Sequence, residues 1–173
     1  MTAEHAIVVP RFPLLEEPGE WDDLTLTVAT VFLEAEGEPE DGQIAVGFVI
    51  GTRMRAHGVT ARQVILGPDG KAYGDGHPWE AFSCWGDDYK DRARARLAAA
   101  ANAAWAWKAA ASGLFGLGPD PSKGSYFYLN VAVTKKGRGD GTLPAWAALP
   151  GDATKINETK VLAVLGRHHF LKA

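Results

Sequence analysis

The sequence predicts an α+β domain, mostly helical, with a small antiparallel β element toward its C-terminal end. Three observations carry this. Apolar residues recur at helical spacing through residues 22–66 and again through residues 91–112. Strand chemistry is confined to SYFYLN at residues 125–130 and to KVLAVLGRHHFL at residues 160–171. No internal repeat, low-complexity tract or linker divides the 173 residues, so a short N-terminal arm (1–21) and one domain (22–173) are expected.

The elements follow in order. Residues 1–21 are Pro-rich and aperiodic and read as an arm. Asp22 or Asp23 is placed to cap a first helix carrying Leu24, Val28, Val31 and Ala35 on one stripe, with Thr27, Thr30 and Glu34 on a more polar one. Gly37 is its expected stop. Pro39 suits the first turn of a second helix, apolar nearly all round and therefore buried. Gly47 and Gly51 within it are four apart, a spacing that allows close helix packing. Thr60 and Gln63 form a capping box for a short third helix that ends near Gly67.

Residues 67–90 read as a loop, long enough that a functional role is the usual explanation. Residues 91–112 predict one Ala-rich helix with Leu97, Ala101, Trp105 and Ala109 in a stripe. Residues 113–124 are a Gly/Pro connection. Residues 133–149 read as a second long loop, and the tail as two strands hinged at Gly166.

Composition excludes several classes. At 46% hydrophobic and 23% charged the chain is an ordinary globular one. A net charge of −3 argues against nucleic acid as a partner. No apolar run approaches the roughly 20 residues of a membrane span. Cys84 is the single cysteine, so neither an internal disulfide nor a multi-cysteine zinc site is expected. No metal or cofactor is expected, and the chain is read as a monomer. The N-terminus lacks a basic region followed by a long apolar one, so synthesis in a cytoplasm without secretory export is expected.

The joint between the first two helices crowds Glu34, Glu36, Glu38, Glu40 and Asp41 together. A solvated turn is one reading. The other is a carboxyl group kept protonated. Glu34 sits near a helix C-terminus, where the dipole opposes another negative charge by ~0.3–1 kcal/mol. Neighbouring carboxylates and partial burial under the long loops push the same way. A carboxyl with a raised pKa is what general acid catalysis near neutrality needs.

The string LEAEGEPEDGQIAVGFVIGTR, at residues 33–53, resembles the opening motif of the cell-wall hydrolase family typified by the spore-cortex-lytic enzyme SleB. Four further blocks follow in the family's order: Phe82-Ser83-Cys84-Trp85, the aromatic strand ending at Asn130, Pro144-Ala145-Trp146-Ala147, and Gly166-Arg167-His168-His169-Phe170. The sequence departs from the pattern at Thr52, Ala81 and Phe127.

The resemblance implies a lysozyme- or lytic-transglycosylase-like core that cleaves the glycan strand of peptidoglycan. Carried over, it makes Glu34 the essential acid and Glu38 and Gln43 further motif residues of the substrate site. One protonating carboxyl leaves two outcomes open: attack by water, or closure of an anhydro ring by the sugar's own 6-hydroxyl. Asp87 and Asp88 are candidates for a second carboxylate, although loop Asp pairs also form turns.

Trp85, Tyr126, Tyr128 and Trp146 are candidate sugar-stacking walls or core residues. His168 is a candidate groove residue or a hydrogen-bonded structural one. Ser83 lacks a nucleophile-elbow frame and Cys84 a His partner. Lys135, Lys136 and Arg138 either meet the anionic wall or lie in a solvated loop.

Three functions compete: a wall glycosidase, most simply a phage endolysin held in the host cytoplasm until lysis; a zinc-dependent wall amidase; and a non-catalytic glycan-binding or virion protein.

Overall fold

The computed structural model describes residues 12–67, 82–85, 90–100 and 103–173. Most of the expected arm, most of the loop at residues 67–90, Ala81, Asp87, Asp88 and Ala101 lie outside the described residues. The fold is α+β, a group of packed helices with a small antiparallel sheet.

Helix α1 (Asp23–Ala35) is capped by Asp22, whose Oδ1 accepts from the Thr25 N–H at 2.8 Å. Nine of its thirteen residues are buried, Thr27 and Thr30 among them, so it is the helix the others wrap. The two threonines are satisfied within the helix, donating to the carbonyls of Asp23 (2.6 Å) and Leu26 (2.8 Å). The helix ends at Glu36, and Gly37 is not left-handed. Pro39 supplies the stop instead, by disfavouring helical geometry at Glu38.

Helix α2 (Glu40–His57) takes Pro39 as its N-cap and is followed by α3 (Ala61–Leu66), opened by the Thr60/Gln63 capping box. The expected single helix over residues 91–112 is instead two, α4 (Lys90–Ala99) and α5 (Ala104–Phe115). Ala103 leaves helical geometry at φ −109°, ψ 16°. The break lets Ala93 and Leu97 bury on the α1 side while Ala106, Ala109 and Ala110 run along α2. A straight rod of this length would lose one of these contacts, so packing overrides the strong local propensity. Helix α5 continues through Gly113 and closes on Gly116.

The expected role of Gly47 and Gly51 holds. An added Cβ on Gly47 would lie 2.3 Å from the Ala109 carbonyl oxygen, and one on Gly51 2.1 Å from that of Gly113. Helices α2 and α5 therefore meet backbone to backbone.

Strand β1 (Phe127–Leu129) pairs antiparallel with the last strand, with Tyr128 opposite Phe170. After β1 in sequence come α6 (Val131–Arg138), β2 (Ala148–Leu149), β3 (Asp152–Ile156), β4 (Val161–Leu165) and β5 (His168–Leu171). The sheet order is β1-β5-β4, and β2-β3 is a separate hairpin. The tail is the expected pair of strands turning at Gly166, whose φ is +58°.

Helix α6 falls where a loop was expected. Asn130 caps it by accepting from the Val133 N–H, and none of its residues is buried. Its Val and Thr content and internal Gly137 gave no helical signal. Strand β3 was also missed, because its middle three residues are exposed and show no apolar alternation.

A main core gathers α1 to α5 with Phe170, and a smaller one holds Leu129, Leu143, Ala147, Ala148 and Leu171. Among the described residues no helix is long and apolar enough to cross a membrane.

Candidate active site

Thr30 and Glu34 stand one turn apart on the same face of α1. The 3₁₀ turn Ser83–Trp85 is fastened to both positions. Trp85 donates its indole N–H to the Thr30 hydroxyl at 2.9 Å, and the preceding residue, Cys84, presents its thiol and backbone N–H to the Glu34 carboxyl. Trp85 is only 2% exposed and lies edge-on to Trp21, with ring centroids 5.8 Å apart. It is therefore a core residue that positions Cys84; no sugar can stack on it.

Glu34 is half-buried, and its carboxyl faces groups from the 3₁₀ turn, from β1 and from α4. Burial pushes the carboxyl above its ordinary pKa. The Cys84 thiol, the Tyr128 hydroxyl, the Cys84 N–H and the Arg96 charge pull it part of the way back.

Repulsion from Glu36 and Glu38, expected to raise it further, is not among the causes. Glu36 is paired with Arg96 at 2.7 Å on the surface. Glu38 is turned away into its own ion pair.

The Glu38 side chain is 2% exposed, and both its oxygens are taken. Oε2 accepts from the Arg167 backbone N–H and Oε1 from the Arg167 Nε, each at 2.8 Å. Burial alone would raise its pKa, but the Arg167 N–H, the His168 ring and the Arg167 guanidinium outweigh it and hold the carboxylate low. Gln43 donates to the Glu38 carbonyl at 2.8 Å.

Glu38 thus pins the β4-β5 turn to the α1-α2 joint, and Gln43 braces the Glu38 backbone within that joint. Gly166 is required there: a Cβ would meet Glu38 Oε2 at 2.1 Å. Glu38→Ala is expected to lower stability at neutral pH by about 2 kcal/mol, discounted for the exposed Arg167 side chain. The stabilisation is present above the unfolded pKa of Glu38 and is lost as pH falls through the lower folded value. Parent and variant melting curves should therefore converge in acid.

Tyr128 was expected as a sugar wall. Its ring is stacked on Phe170 (5.8 Å), tilted against Phe82 (6.2 Å) and met edge-on by His168 (5.2 Å). Its hydroxyl oxygen is buried and falls short of a formed hydrogen bond, yet it lies near enough to act on the Glu34 charge. His168 is buried between Tyr128 and Glu38, with Nδ1 3.8 Å from Glu38 Oε1. Burial lowers its pKa and the Glu38 charge opposes that.

Tyr126 and Trp146 are half-buried and belong to a neighbouring aromatic group. Arg53 donates from Nε to the Tyr126 carbonyl at 2.8 Å and lies 5.4–5.5 Å from the ring centres of Phe82, Tyr126 and Phe127. His57 pairs with the Tyr126 hydroxyl, and Trp146 stacks on Phe127 at 4.6 Å. Phe82 is shared by the two groups.

Sequence reasoning missed Cys84 as a donor to Glu34, and it missed Arg53 and Arg96. Only the adjacency of Cys84 to a buried Trp hinted at the first. Among the described residues no three His, Cys, Asp or Glu side chains converge as metal ligands would.

A family model described as Cell Wall Hydrolase matches residues 37–171. The chain belongs to the cell wall hydrolase family. It is thus an enzyme of peptidoglycan degradation. No curated protein and no solved structure matches it. The matched span of this hydrolase includes Glu38, Cys84, Trp85, Tyr128 and His168, and it begins three residues after Glu34.

Proposed function

We propose that this cell wall hydrolase is a glycosidase that cuts the β-1,4 bond between N-acetylmuramic acid and N-acetylglucosamine, with Glu34 as general acid. The observation that carries this is the Glu34 carboxyl itself, half-buried, raised in pKa by desolvation and faced by the neutral donors Cys84 and Tyr128. Protonated Glu34 gives its proton to the glycosidic oxygen as the bond to the muramic acid C1 breaks. Positive charge develops on that ring and the carboxylate is left behind. The carboxylate then takes a proton from the attacking hydroxyl and is an acid again.

Among the described residues the groups that chiefly act on Glu34 include no other carboxyl, in keeping with the single-acid route. In that route the 6-hydroxyl of the muramic acid attacks C1 and the product is an anhydro sugar. The enzyme acts as a monomer, and as an endolysin it would be held in the host cytoplasm until lysis exposes the wall.

Mass spectrometry of soluble fragments from purified peptidoglycan tests the reading. The expected fragments end in 1,6-anhydro-muramic acid, about 18 Da lighter than reducing ends because no water is added. Reducing muramic acid ends would keep the glycosidase and replace the ring closure with hydrolysis. New amino groups on intact glycan strands, abolished by chelation, would instead mark an amidase. Wall binding without soluble fragments would mark a non-catalytic protein.

A further inference from the structure

Three elements bring groups to the Glu34 carboxyl: the 3₁₀ turn brings Cys84, β1 brings Tyr128 and α4 brings Arg96. Behind Tyr128 stand Arg53 from α2 and His168 from β5, and behind His168 stand Glu38 and Arg167. Arg96 is already engaged by Glu36 at the surface. The two groups closest in character to an anion cradle are therefore both neutral.

The Tyr128 ring is packed against Phe170, Phe82 and His168, which fixes where its hydroxyl points. It caps no backbone group, since its buried hydroxyl makes no hydrogen bond. A buried hydroxyl without a partner costs stability and calls for an explanation. Its one charged-capable neighbour that changes state during turnover, with Glu34 taken as the acid proposed above, is Glu34.

We infer that Tyr128, with the Cys84 thiol beside it, is a positioning residue that waits for the carboxylate of Glu34 and donates to it as the proton leaves for the glycosidic oxygen. The role rests on Glu34 being the general acid. The C1–O bond pair goes to the leaving oxygen with that proton, and the Glu34 oxygen keeps the electron pair of its broken O–H bond. Tyr128 and Cys84 keep their own protons throughout, since burial and the Glu34 charge hold both well above their ordinary pKa values. A hydrogen bond to an anion is stronger than one to a neutral acid. The contact thus gains strength in the transition state, which is the condition for accelerating the step.

The test is the pH dependence of wall solubilisation by the full chain. Tyr128→Phe removes the donor and keeps the ring. Its alkaline limb is expected to move to higher pH, because the carboxylate loses a stabilising partner. Its kcat on the acid plateau is expected to fall roughly tenfold with KM unchanged. Replacing Tyr128 by 3-fluorotyrosine, nearly isosteric and a stronger donor, is expected to move the same limb to lower pH. Cys84→Ala is expected to move it up.

A purely structural tyrosine would leave the limb in place whatever happened to the melting temperature. A profile of Tyr128→Phe that superimposes on the parent overturns the inference, as does a rise in KM at unchanged kcat. If Tyr128→Phe does not fold, an unmoved limb in the 3-fluorotyrosine protein overturns it in the same way. Full activity in Glu34→Gln would instead overturn the acid assignment beneath it, so the two failures are told apart.

Discussion

Glu34→Gln is expected to fold and to lose wall-solubilising activity by about a thousandfold, the middle of the range for removing a general acid. Gln has nearly the shape of Glu and still accepts from the Cys84 N–H, so the pocket keeps its packing. It has no proton to give. The release of soluble fragments from purified wall measures the loss, and near-parental activity would end the case for Glu34.

The same substitution carries a stability signature of opposite sign. Glu34 has a folded pKa above its unfolded one. Its contribution is therefore fully present below the unfolded pKa and is lost as pH rises through the folded value. Gln cannot ionise, so Glu34→Gln is expected to melt above the parent at alkaline pH and to match it in acid. A residue that weakens the fold at the pH where it is ionised, and is here proposed as the acid of turnover, fits the usual trade between activity and stability.

Gly113→Ala is the largest expected loss of stability. A Cβ there would lie 2.0 Å from both the carbonyl carbon and oxygen of Gly47 and 2.6 Å from the Phe48 nitrogen. These are backbone atoms of a neighbouring helix, so no side-chain rotation relieves the clash, and α2 and α5 must move apart. Overpacking of this kind costs about 3 kcal/mol or more. The roughly 1 kcal/mol that Ala gains over Gly in a helix offsets only part. For a chain of this size a net loss of about 2–3 kcal/mol lowers the melting temperature by roughly 4–12 °C. Gly137→Ala, on α6 in open space, is the control and should be neutral or slightly stabilising. Equal melting temperatures for Gly113→Ala and the parent would mean that the helices do not touch there.

The legible part of the fold was local. Asp22 as a cap, the Thr60/Gln63 box, the Gly47/Gly51 contact and the turn at Gly166 each depend on residues a few positions apart. The failures share a cause as well. The break in the Ala-rich helix, the exposed α6 and the polar β3 are set by what lies against them, and no period in the sequence records that.

The candidate site divides the same way. Glu34 stood out because a helix end and a run of acids are visible in one dimension. Of the expected reasons for its raised pKa, burial is the leading one, while repulsion within that run is not among the main causes, because Glu36 and Glu38 each find an arginine from far along the chain.

By itself the sequence determined the class of this protein, the caps that open its first and third helices and the position of one distinctive carboxyl group, since caps, turns and helical periods act over short separations. Only the tertiary structure decided which side chains surround that carboxyl. Cys84 and Tyr128 lie 50 and 94 residues beyond Glu34 in the chain. The burial that shifts a pKa is a property of enclosed volume, and chain separation says nothing about which distant segments close around a group.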